Sequence, residues 1–306
     1  MEWTLQWLLT LGMAGLVAQF VDGALGMGYG VTSSTLLLAA GLAPASVSAS
    51  VHVSKIMTGL ASGASHWRFG NLDWPTVRRI GLPGCLGGFV GAVALSNASG
   101  TAAKPWIAGI LLLLGVYVLA RFTLTRIAVP ATTATLRKRF LVPVGLFGGF
   151  VDAIGGGGWG PVATPSLLAS GRMEPRKVIG SVNASECLVA LSVTAGFLVA
   201  LGLEGVQPAV LVALLAGGLL AAPIAACVVR RVAPRPLGAA VGGLIILTNS
   251  RAVLDGLDAS GSVRLGVVAL IVCLWAAAVA HTVRQSRRDR PVDVPTPEPV
   301  PVSAHG

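Results

Sequence analysis

The chain has 306 residues, 54% hydrophobic and only 11% charged, with a formal net charge of +10. No soluble domain of this length needs so much apolar surface, so the composition excludes a soluble globular protein and points to a polytopic membrane protein. A nucleic-acid partner is excluded by position: the basic residues fall in short clusters between apolar runs, where they orient a membrane protein.

The first apolar run is Leu5–Val21, preceded by a single charge, Glu2. A cleavable signal peptide would carry a basic segment there, so the run is read as retained. Next comes Phe20-Val21-Asp22-Gly23-Ala24-Leu25-Gly26-Met27-Gly28-Tyr29-Gly30, which leads into the run Ala24–Ala40. The runs Ala45–Ser65, Pro75–Leu95 and Pro105–Ala120 follow, then a basic stretch with Arg121, Arg126, Arg137, Lys138 and Arg139.

After Leu141–Val151 the opening pattern returns 130 positions on, as Phe150-Val151-Asp152-Ala153-Ile154-Gly155-Gly156-Gly157-Gly158-Trp159-Gly160. Both copies set one carboxylate just before a glycine-rich break in apolar sequence. Repeated, interrupted hydrophobic segments of this kind point to the binding site of a secondary transporter. The runs Trp159–Ala169, Val178–Ala200, Val206–Val229, Leu237–Leu254 and Val263–His281 complete the series, and a basic, proline-rich tail ends it. Several runs are about 20 residues long, enough to cross roughly 30 Å of hydrocarbon as helix. The four beside the glycine breaks are shorter and read either as half-helices of re-entrant hairpins or as short tilted spans.

Placing the main basic clusters in the cytoplasm puts 18 of the 22 Lys and Arg residues inside and only Lys55 within a span. This arrangement obeys the positive-inside rule. Leu141–Ala169 then enters and leaves by one face, and each half becomes a broken hairpin followed by three crossings. An odd number of crossings inverts the second half relative to the first. The expected fold is all-α and polytopic: two such repeats in inverted topology plus one extra C-terminal helix. The expected divisions are a first repeat over 1–122, a basic cytoplasmic connector over 123–140, a second repeat over 141–255, an extra span over 256–283 and a disordered cytoplasmic tail over 284–306. The N-terminus is expected outside.

Four ionisable groups lie deep in apolar sequence: Asp22, Lys55, Asp152 and Glu186. A charge at mid-bilayer costs about 2.5–3.5 kcal/mol on insertion scales, so such groups face a partner or a wet cavity. With a slip of one residue the repeat aligns Ser50-Val51-His52-Val53-Ser54-Lys55 with Ser181-Val182-Asn183-Ala184-Ser185-Glu186. Lys55 of one half is therefore expected to face Glu186 of the other. The pairs His52/Lys55 and Asn183/Glu186, three apart, share helix faces, as do Ser50/Ser54 and Ser181/Ser185, four apart.

The candidate binding set is therefore Asp22, Gly26, Gly28, Ser50, His52 and Lys55 from the first half, with Asp152, Gly156, Gly157, Gly158, Ser181, Asn183, Ser185 and Glu186 from the second. In the functional reading, serines and helix-end amides hold an anion, Lys55 and His52 supply positive potential, and Glu186, Asp22 or Asp152 carries protons. The structural alternatives are a Lys55–Glu186 pair that only joins the halves, a His52 bonded to a backbone carbonyl, glycines serving helix packing, and aspartates capping the next half-helix. No P-loop lysine follows the glycines. Gly84, Gly87, Gly88 and Gly91 read as packing residues. Trp3, Trp7, Trp67, Trp74 and Trp106 read as an interfacial belt. Cys85, Cys187, Cys227 and Cys273 have no metal or redox spacing. No cofactor or metal is expected.

With these residues in place, the chain resembles the sulfite exporter TauE/SafE family, also called the toluene sulfonate uptake permease family. The likeness rests on the duplicated glycine-rich helix, clearest at Gly155 to Gly158 with Pro161 or Pro165 after it. It rests also on His66-Trp67-Arg68-Phe69-Gly70-Asn71-Leu72-Asp73-Trp74, similar to the family's short loop between early helices. It extends to about Leu254. Gly26-Met27-Gly28-Tyr29-Gly30 departs from the family in lacking consecutive glycines. The resemblance implies a multi-pass bacterial inner-membrane protein that moves sulfite, sulfonates or related sulfur-containing organic anions. The expected function is a secondary transporter, an exporter by the family's name, coupled to a proton or ion by alternating access. An anion channel, or a permease for another small organic anion, is the alternative. An enzyme is not expected, since no nucleophile stands beside a base at recognisable spacing. The expected partners are a small anion, a coupling proton or ion and the lipid bilayer; homo-oligomer formation is left open.

Overall fold

The computed structural model describes residues 4–25, 28–98, 100–124, 136–170, 172–202, 208–228 and 234–288, and among them it contains eleven helices and no strand. They are α1 (Leu5–Leu25), α2 (Tyr29–Ala39), α3 (Pro44–Arg68), α4 (Trp74–Asn97), α5 (Gly100–Leu124), α6 (Lys138–Gly155), α7 (Trp159–Ala169), α8 (Pro175–Leu201), α9 (Pro208–Val228), α10 (Pro234–Gly256) and α11 (Gly261–Arg288). Each apolar run falls on one helix except Ala24–Ala40, whose first two residues end α1 and whose remainder beyond the break forms α2. Hydrocarbon offers no hydrogen bonds, so a spanning segment must satisfy its own backbone. Six helices, α1, α4, α5, α8, α10 and α11, are long and apolar enough to cross a membrane. The protein is an all-α polytopic membrane protein.

The segments beside the breaks are not four equal short pieces. α1 has 21 residues and α6 has 18, whereas α2 and α7 have 11 each. Eleven residues rise about 16 Å, roughly half a bilayer core. The apolar runs end at Asp22 and Asp152, but the helical backbone continues through both residues because each carboxylate turns forward to the next helix. Gly28 (φ 113°) and Gly156 (φ 71°) then take the left-handed region in the breaks, which a side chain disfavours. α11 likewise runs past the expected end of its span to Arg288, with Arg287 and Arg288 in its last turn, where cations complement the helix dipole. Residues 125–135 of the connector and 289–306 of the tail lie outside the described residues.

The helices pair across the two halves. α1 lies along α9 and α6 along α4, while α5 lies along α10 and α3 along α8. Close approach is made by small residues: Gly149 of α6 faces the backbone of Gly84 on α4, and Gly217 of α9 faces Gly12 on α1, with no room for a Cβ at either place. The α4 glycines thus pack helices, as expected. One pair of contacts is unequal: α4 lies broadly against α8, whereas its counterpart α9 touches α3 only slightly. α11 stands outside against α10 and α5, its Leu265, Leu270 and Leu274 exposed. Trp67, Trp74 and Trp106 are also exposed. The buried core runs through Val31, Val51, Leu111, Trp159, Val189 and Leu214 at the junction of both halves.

Candidate functional site

Asp152, near the C-terminal end of α6, is fully buried and accepts five contacts. Its Oδ1 accepts from the amides of Gly158 (2.7 Å) and Trp159 (3.0 Å) at the start of α7 and from Lys55 Nζ (2.8 Å). Its Oδ2 meets Lys55 Nζ (2.9 Å) and His52 Nε2 (3.0 Å). α3 supplies both basic groups from one face, one turn apart. The other ring nitrogen of His52 lies 2.7 Å from the Ser48 carbonyl oxygen, and the Ser48 hydroxyl donates to the Ala153 carbonyl, tying α3 to the end of α6. The carbonyl bond foreseen for His52 is therefore present together with its contact to Asp152.

Lys55 is shared. Its ammonium also lies 2.9 Å from Glu186 Oε1 on α8, so lysine and glutamate of the two halves do meet. The two carboxylates differ in access: the Asp152 side chain is 0% exposed and that of Glu186 25%. Asp22 is within electrostatic reach of Glu186 and Lys55, and it accepts from the Tyr29 amide at 3.2 Å. The breaks thus repeat one device. Asp22 caps α2 through Tyr29 and Asp152 caps α7 through Trp159, each seven residues on, the helix N-terminus favouring the negative charge. The Tyr29, Gly158 and Trp159 amides, expected to face a bound anion, are instead occupied by the protein's own aspartates.

The two breaks also touch. Gly30 and Gly157 meet backbone to backbone, and a Cβ on either would strike the other segment. Around this crossing stand hydroxyls, of which the sequence singled out Ser50 and Ser54 but not Thr32, Ser34 and Thr35. Ser34 Oγ lies against Gly156, and Thr32, Ser34 and Ser50 are buried with hydroxyl oxygens lacking a hydrogen-bond partner among the described residues. Thr35 accepts from Asn249 of α10 at 3.0 Å. Ser54 donates to the Ser50 carbonyl at 3.1 Å and faces the Tyr29 hydroxyl. The signal was legible as the hydroxyl run Thr32-Ser33-Ser34-Thr35 directly after the first break.

Other second-half candidates stand apart from Lys55. The Ser181 hydroxyl accepts from the Asp73 amide at 2.9 Å, Asn183 pairs with His66 Nε2 at 3.3 Å, and Ser185 donates to the Val182 carbonyl at 2.8 Å. Ser181 and Asn183 are held by the end of α3 and the loop after it. Gly26 lies outside the described residues. Among those described, no group of three or more His, Cys, Asp or Glu side chains is arranged to hold a metal. A recess of about 330 Å³ lined by Arg137, Arg139, Phe140 and Arg172 opens at the other end of α6. At 1.5 Å per residue it lies about 20 Å from Asp152 and is separate from the buried cluster.

Residues 11–252 match the family described as sulfite exporter TauE/SafE. The chain is 46% identical over 273 residues to "Probable membrane transporter protein YtnM" of Bacillus subtilis (strain 168), an alignment covering 89% of this chain and 91% of that protein. No solved structure matches it.

Proposed function

We propose, since the chain belongs to the sulfite exporter TauE/SafE family, that this membrane transporter is a secondary active carrier of small sulfur-containing anions such as sulfite or organosulfonates. The observation that carries this reading is Lys55, an ammonium buried at membrane depth between a sealed carboxylate and a partly exposed one. Ionisable groups so placed mark substrate or ion pathways. The unpartnered hydroxyls of Thr32, Ser34 and Ser50 are donors that an oxyanion would satisfy.

The unequal contacts support alternating access. Were the halves related by a strict twofold, α4–α8 and α9–α3 would be alike; a carrier held in one of its two states breaks that equality. The basic clusters support inverted halves with the N-terminus outside and the C-terminus cytoplasmic.

The test is uptake and efflux of labelled sulfite and of a sulfonate in proteoliposomes, with Lys55→Ala and Glu186→Ala. Saturable counterflow is expected, lost in Lys55→Ala, while Glu186→Ala should lose accumulation driven by a gradient. Conductance at channel rates without counterflow would replace the carrier with an anion channel, and unchanged transport in both variants would remove these residues from the mechanism.

A further inference from the structure

We propose that Glu186 is the coupling carboxylate: protonated, it yields its place on Lys55 to the substrate anion, so that one proton travels with each monovalent anion. This rests on the transport reading above and goes beyond it by naming the coupling ion, the residue that carries it and the atom the anion takes over.

Lys55 has three N–H donors and two carboxylate neighbours, and only one neighbour can leave. Asp152 is sealed, with both oxygens bound by His52, Lys55 and two backbone amides. Removing it would strand a buried ammonium and uncap α7. Glu186 meets Lys55 through one oxygen at 2.9 Å, with a quarter of its side chain exposed. It is the partner that water and a solute can reach.

The charge balance sets the condition for exchange. The ionisable groups around Glu186 are Lys55 and His52 on α3, Asp22 on α1, Asp152 on α6, Tyr29 on α2 and Cys187 beside it on α8. Even with both ring nitrogens of His52 protonated and Asp22 neutral, two carboxylates match two cations. A further anion would leave the site negative, in a medium where an unbalanced charge is expensive. A proton taken from solvent by Glu186 removes that obstacle. The anion then accepts the Lys55 N–H that Glu186 gave up, and the total charge of the site is the same as before loading, whatever the state of His52. On the far side the anion leaves, Glu186 gives its proton to solvent and its carboxylate returns to Lys55. Anion and proton therefore move in the same direction.

The experiment uses full-length protein in proteoliposomes, with labelled sulfite and labelled methanesulfonate, the latter keeping a single negative charge as pH changes. Proton entry is read by a trapped pH dye. Wild type should accumulate methanesulfonate down an imposed proton gradient with matching proton flux. Glu186→Gln should still exchange labelled for unlabelled anion, while gradient-driven accumulation falls roughly tenfold, within the usual range for coupling between two sites. Gly266→Ala on α11, where a Cβ meets nothing within 4 Å, should retain proton-driven accumulation. If wild type carries anion without protons, or Glu186→Gln still accumulates it, the inference is overturned while the transport reading stands. Loss of coupling in Asp22→Asn but not in Glu186→Gln would overturn it in favour of Asp22. Should Glu186→Gln fail to fold, the wild-type proton-to-anion ratio decides alone. If wild type moves neither anion, the transport reading itself falls.

Discussion

Lys55 Nζ and Asp152 Oδ1 lie 2.8 Å apart across 97 residues of sequence, joining the middle of α3 to the end of α6. The repeat pairs Lys55 with Glu186, and that contact exists, but the tighter bond is to the aspartate at the second break. Lys55 thus bridges a fixed anion and a replaceable one.

Lys55→Met should be strongly destabilising. Breaking a buried pair by removing one partner leaves an uncompensated charge and costs about 3–5 kcal/mol. The double variant Lys55→Met/Asp152→Asn removes both charges and should recover much of the lost stability without transport. Unfolding in detergent, followed by size-exclusion after heating, checks this. A single variant as stable as wild type would show that Asp152 does not depend on the lysine.

Gly157→Ala should abolish well-folded protein or transport, since its Cβ would overlap the backbone of Gly30 and Val31. Gly266→Ala on α11, where a Cβ meets nothing within 4 Å, is the control and should behave as wild type. The readout is yield of monodisperse protein together with counterflow.

Gly59→Cys should form a disulfide with native Cys187. A Cβ at Gly59 would lie 3.2 Å from that of Cys187, a few tenths of an ångström inside the ordinary disulfide span of about 3.5–4.5 Å. The bond would tie α3 to α8, the helices bearing Lys55 and Glu186. Oxidised protein should lose transport and regain it on reduction. Full activity in the crosslinked form would mean that α3 and α8 travel together through the cycle.

Ser34→Ala and Ser50→Ala should fold normally, since neither hydroxyl oxygen has a hydrogen-bond partner to lose. If both donate to the bound anion, each change should weaken binding by roughly ten- to hundredfold, the worth of a hydrogen bond to a charged group at about 1.5–3 kcal/mol. A thermal-shift titration with sulfite measures it; wild-type affinity in both variants would place the anion elsewhere.

The helices were legible because the bilayer leaves the chain little choice: every apolar run from Leu5–Val21 to Val263–His281 falls on one helix, except Ala24–Ala40, which the first break divides. Their ends near the breaks were less so, because hydropathy stops at Asp22 and Asp152 while the backbone ladder does not. The Lys55–Glu186 contact could be found from the repeat, which ties equivalent positions together. The Asp152 partnership could not, because it depends on how α3 crosses α6, and local sequence carries no record of that crossing. Ser181 and Asn183 entered the candidate set through symmetry alone. His66 at the end of α3 and Asp73 just before α4 hold them elsewhere.

The contact between Gly30 and Gly157 restricts how the duplicated halves can diverge. Elsewhere the copies have drifted freely, exchanging Lys55 for Glu186 and Tyr29 for Trp159. Where the breaks cross, a methyl group acquired by one copy would land on the main chain of the other. Neither half can be revised at that point on its own, so two stretches of sequence far apart are inherited there as a single unit.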